Sequence, residues 1–102
     1  MAINRDYGYQ YETVAVSQTA QVLGGTGAAG DYLHRIVIQV ITVATASVTI
    51  LDGATSIVVL TGAAGLTAGI YSVELNMAAA TGPWKVTTGA GATVIAVGVF
   101  SA

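Results

Sequence analysis

Asp31-Tyr32-Leu33-His34-Arg35-Ile36-Val37-Ile38-Gln39-Val40-Ile41 is the stretch that decides the fold. It is a run of branched and aromatic residues at period two, long enough for a full strand and bare of helical spacing. Its even positions are Tyr32, His34, Ile36, Ile38 and Val40; its odd positions are Leu33, Arg35, Val37, Gln39 and Ile41. Both faces carry apolar residues, as in the central strand of a two-sheet sandwich.

Working outward, the same strand-and-turn pattern continues in both directions. Ala46 to Leu51 and Ser56 to Leu60 flank Asp52-Gly53-Ala54-Thr55, and an Asp-Gly pair between β-branched runs signals a hairpin. Gly69 to Met77 alternates Tyr71, Val73, Leu75 and Met77 against Ser72, Glu74 and Asn76, which predicts a half-buried strand. Trp84 to Thr88 and Thr93 to Phe100 follow, and Thr13 to Ser17 and Thr19 to Leu23 precede. Thr-Gly-Ala-Ala-Gly occurs at 26–30 and again at 61–65, where recurrent turn chemistry rather than a solenoid repeat explains it, because the flanks differ. About eight short strands at regular spacing predict an all-β protein: an eight-stranded, jelly-roll-like β-sandwich of two antiparallel sheets. An immunoglobulin-like sandwich is the alternative. Residues 1–12 read as an extended N-terminal arm and 13–102 as the sandwich domain.

Composition sets the next constraint. The 102 residues are 54% hydrophobic but only 8% charged, with net charge −2, against roughly 25% charged in an ordinary domain. A compact chain of this mass exposes on the order of 5,300 Å². Each charge then serves about 660 Å² of surface on the same scaling. Large apolar exterior patches mark contact sites, so the expectation is a domain that lives in an assembly.

The same numbers exclude function classes. Arg5, Arg35 and Lys85 are the only cations, too few to track a phosphate backbone, so no nucleic-acid partner is expected. There is no cysteine, which excludes Cys-ligated metal sites, and the single His34 cannot supply a His-based triad. No cofactor or metal is expected. The apolar run Ile36 to Leu51 falls short of about 20 residues and contains Gln39, so no membrane span is expected. No signal peptide is visible at Met1 to Gln10.

No motif supplies chemistry. Gly25-Thr26-Gly27-Ala28-Ala29-Gly30 spells a dinucleotide fingerprint, but strand residues rather than a helix follow it. His34 has no positioned partner in its strand and reads as structural. Asp52 belongs to the hairpin turn, Asp31 to a local backbone turn, and Glu74 to a wet strand face. The chain is expected not to be an enzyme. The aromatic residues are more telling. Tyr7, Tyr9, Tyr11 and Trp84 are the interface candidates, since amphipathic aromatics recur where apolar surface meets a partner. Trp84 also fits a core position at the end of the sandwich.

Three segments carry a family resemblance: Gln21 through Leu33, Val48 through Ile57, and Gly82 through Gly89. Across about residues 13 to 100 the chain resembles small head decoration, or cement, proteins of tailed bacteriophages. The resemblance implies a jelly-roll-like sandwich that forms a dimer or trimer and binds the major capsid protein. It also implies a location on the capsid exterior, after synthesis in the host cytoplasm. It carries no catalytic residues to this sequence. A carbohydrate-binding module of a phage fibre or spike is the alternative, because aromatic rows also stack on sugars.

Overall fold

The computed structural model describes residues 9–41, 47–62 and 67–102. Eight strands and no helix occur among them. These are β1 (Gln10–Val14), β2 (Gln21–Val22), β3 (Tyr32–Val40), β4 (Val48–Asp52), β5 (Thr55–Leu60), β6 (Gly69–Ala78), β7 (Trp84–Thr87) and β8 (Ala92–Val99).

The strands form two four-stranded sheets, ordered β1-β8-β3-β6 and β2-β7-β4-β5. All pairings are antiparallel. The pairs β1·β8, β2·β7, β3·β6 and β4·β5 nest like the rungs of one long hairpin. Rolling that hairpin over brings β8 beside β3 and β7 beside β4. This is the jelly-roll arrangement. An immunoglobulin-like sandwich would instead unite the first, second, fourth and fifth strands in one sheet.

The sheets enclose Val14, Leu23, Leu33, Ile36, Ile38, Val48, Ile50, Trp84, Val86, Val94 and Phe100. β3 lies inside its sheet, between β8 and β6. Its apolar composition follows from that place. The period-two reading of β3 fails at one point. Leu33 pairs with Gly98 and Arg35 with Val97, so His34 is an extra residue opposite β8. The bulge puts Leu33 and Ile36 on the buried face together. On the far side Leu33 pairs with Met77 and Arg35 with Glu74, and Asn76 takes φ 51° there, a left-handed value that asparagine tolerates better than most residues.

The N-terminal boundary also moves. β1 begins at Gln10, so residues 10–12 of the expected arm are sheet residues, and residues 1–8 lie outside the described part. The strand expected over Thr13 to Ser17 stops at Val14, and Ser17 turns back with φ 57°. Ala20 at φ 49° likewise trims the next strand to Gln21–Val22. The β4–β5 hairpin forms where expected, with Asp52 opposite Thr55 and the loop Gly53-Ala54 between them. Gly53 has φ 61°, which fits a Gly-first II′ turn. Of the second Gly/Ala loop, residues 63–66 lie outside the described part.

Candidate interaction surface

The outward face of the β1-β8-β3-β6 sheet follows from the register. One row runs Tyr11, Val97, Arg35, Glu74, and the next Thr13, Ile95, Val37, Ser72. Tyr11 is 72% exposed, and Tyr9 and Ile95 are also exposed. Only two charged side chains stand in these rows, beside a band of tyrosine, valine and isoleucine. Solvent gains little from such a face, while a partner gains apolar area at roughly 25 cal/mol per Å².

Three rings gather at one end of this face, where the His34 bulge turns its side chain toward them. Tyr9 and His34 meet edge to face at 4.6 Å, and Tyr9 and Tyr32 lie 5.7 Å apart, tilted by 43°. The Tyr32 hydroxyl donates to Asn76 Oδ1 at 2.8 Å, which ties the ring cluster to the left-handed Asn76. Partial desolvation, and then the neighbouring Tyr9, push the Tyr32 phenol above the ordinary tyrosine range. His34 Nδ1 is buried with no hydrogen-bond partner among the described residues. Below the rings lies a cleft of about 630 Å³, lined by Tyr9, Gly30, Asp31, Tyr32, Val99 and Ser101.

The interface candidates therefore separate. Tyr9 and Tyr11 share the exposed face, and Tyr7 lies outside the described residues. Trp84 does not belong with them. It is 2% exposed, and its Nε1–H donates to the Asp31 carbonyl at 2.9 Å. Pro83 delivers it to the first position of β7, opposite Asp52, where the core takes the ring.

Asp31, Asp52 and Glu12 fasten parts of the fold to one another. Asp31 is buried, and its carboxylate accepts from Ala28 N at 3.1 Å, Ser101 N at 2.9 Å and Ser101 Oγ at 2.7 Å. Its carbonyl takes a second donor, Ala79 N at 2.8 Å. One residue thus joins the Gly-rich loop, the C-terminal segment and the approach to β7. The local turn expected at Asp31 is present, but the longer links to Ser101 and Trp84 have no signature in the sequence. Asp52 accepts from the amides of Ala80, Thr81 and Gly82, and these bonds hold its carboxyl below the usual carboxylate range. Glu12 accepts from Gly24 N at 2.7 Å and Gln21 Nε2 at 2.8 Å, fastening β1 to β2 and the loop beyond.

The Gly-rich loop has a plain structural use. The amides of Thr26 and Gly27 donate to the Ser101 carbonyl. A Cβ on Gly24 would sit 2.2 Å from that oxygen, and one on Gly25 2.5 Å from Ala102. The glycines make room for the chain's own C-terminal residues, and two of the loop's amides, those of Thr26 and Gly27, are already engaged there. Among the described residues no three of His, Cys, Asp and Glu gather as a metal would require.

The fold and this surface define an all-β sandwich with a sheet face that sets tyrosine, valine and isoleucine beside Arg35, Glu74, Thr13 and Ser72. No protein-family model matches the chain, and no curated protein matches it.

Proposed function

We propose that this chain is a non-enzymatic structural protein of the virion, a decoration or cement protein that binds the outside of a tailed-phage head as a small homo-oligomer. The observation that carries the reading is the outward face of β1-β8-β3-β6, where Tyr9, Tyr11 and Ile95 lie open to solvent on a chain with 8% charged residues. The jelly-roll frame and the resemblance along residues 13–100 support the same reading. Cement action needs contact area rather than chemistry. A standard interface takes about 800 Å² from each partner, some 15% of the 5295 Å² this chain exposes. Many copies on one lattice then make modest single-site affinity sufficient. The major capsid protein is the partner, and Tyr9 and Tyr11 are the anchors.

The test is co-sedimentation with heads of the parent phage prepared without this protein. Saturable pelleting that Tyr11→Ser weakens supports the proposal; a protein that stays in the supernatant overturns it. A second reading, glycan binding, draws on the cleft below Tyr9 and Tyr32. The 43° tilt between those rings disfavours it, since a sugar face stacks best on coplanar aromatics. A glycan array with hits lost in Tyr32→Ala would revive it.

A further inference from the structure

The two flanks of the sandwich are built differently. On the β1–β2 side, Glu12 laces strand to strand and loop, and Val14 and Leu23 are fully buried behind it. On the β5–β6 side the core runs out to the surface. The inner-face row of β3, Leu33, Ile36, Ile38 and Val40, is buried, whereas the inner-face row of β6, Tyr71, Val73, Leu75 and Met77, is only half-buried. Ile57 pairs with the fully buried Ile50, and yet it is 36% exposed.

The edges differ in the same way. A free edge offers unpaired amides and carbonyls to any strand that approaches, and proteins blunt it with shortness, charge or bulges. β2 has two residues. β1 carries Glu12, and β6 carries Glu74 and the irregularity at Asn76. β5 has no such device over Thr55–Val58: four regular pairs to β4, no charge, no proline, and all four residues exposed. Its irregularity falls beyond them, at Val59. Val58, on the outer side of this edge, is 56% exposed.

We propose that the open β5–β6 flank is the surface through which this chain pairs with a second copy of itself. The β5 strands run antiparallel across a two-fold axis, and the half-buried rows of the two copies close on each other. The proposal deepens the reading above by naming the self-contact, and it rests on that reading only for the expectation of an oligomer. A second copy fits because the β5 edge over Thr55–Val58 is uncharged and antiparallel pairing of identical strands is self-complementary. β6 is about 34 Å long and stacked sheets lie about 10 Å apart, giving on the order of 340 Å² before the rims of both strands are counted. That is below the roughly 600 Å² per partner at the low end of specific interfaces, so a weak dimer that dissociates on dilution is expected.

The experiment is light-scattering mass of the full chain beside two variants. Wild type should give twice 10.2 kDa. Val58→Lys, which sets like charges across the axis at an exposed site, should give a monomer of unchanged circular dichroism. Thr13→Lys, on the outward face of β1, should remain a dimer. A wild-type monomer, or a dimer that survives Val58→Lys, overturns the proposal. The chain lacks cysteine, which allows a second readout that does not depend on stability. Ser56→Cys or Val58→Cys should form an intermolecular disulfide at least tenfold faster than Thr13→Cys; equal rates overturn it. Head binding separates the two proposals, since a monomer that still decorates heads refutes this one alone.

Discussion

Replacing Asp31 with alanine tests how the sandwich is stitched. The carboxylate accepts two backbone amides and one hydroxyl, and the residue is 8% exposed, so water reaches the freed donors poorly. Hydrogen bonds to a charged group contribute about 1.5–3 kcal/mol each, and a stranded buried donor costs about 1–3 kcal/mol. The Ser101 hydroxyl can rotate to another partner, so two amides set the loss. Asp31→Ala should therefore destabilise by about 3–4 kcal/mol. At roughly 4–8 °C per kcal/mol for a domain of this size, Tm should fall by about 12 °C or more. The carbonyl of residue 31 still accepts from Trp84 and Ala79, so the fold survives. Urea unfolding at one fixed protein concentration is the assay, because an oligomer's stability depends on concentration. A loss below about 1 kcal/mol would refute the idea that this carboxylate joins the loop to the C-terminal segment.

Three further outcomes follow from the same structure. Gly98→Ala places a methyl 2.0 Å from the Tyr32 carbonyl inside β3·β8, so it should cost about 1–3 kcal/mol in thermal unfolding. Asp52 has its folded pKa below the ordinary 3.8, so its stabilising effect is complete above that value and disappears as pH falls through the lower folded pKa; the Tm gap between wild type and Asp52→Asn should close across that window. Removing residues 2–12 should weaken head binding and also destabilise the sandwich, because it takes Gln10, Tyr11 and Glu12 from β1.

The parts of the fold readable in the sequence are those set by local pattern. β3, the β4–β5 hairpin and the alternating β6 declare themselves through branched residues at period two and a turn pair. What stayed hidden depends on distant neighbours or on single backbone angles. The bulge at His34 exists because β8 and β6 pair with β3 in shifted registers, and nothing in Leu33-His34-Arg35 announces it. Ser17 and Ala20 take left-handed angles that residues of their kind rarely choose, so the first two strands end or begin a few residues away from where the side-chain pattern suggests. The polar, tyrosine-rich start reads as an arm, although Glu12 is polar because it reaches across to Gly24 and Gln21. At the candidate surface the alternating tyrosines include the exposed rings of Tyr9 and Tyr11. Trp84 looks the same as they do in one dimension. Only its place opposite Asp52, with Asp31 above its indole nitrogen, puts it inside.

The molar mass of the untagged chain, followed by light scattering over a dilution series, tests most directly whether its sparsely charged exterior is shielded by companions. The account predicts twice 10.2 kDa at high concentration, falling toward a single chain on dilution. A particle of 10.2 kDa throughout, still clear in solution at the highest concentration, would contradict it.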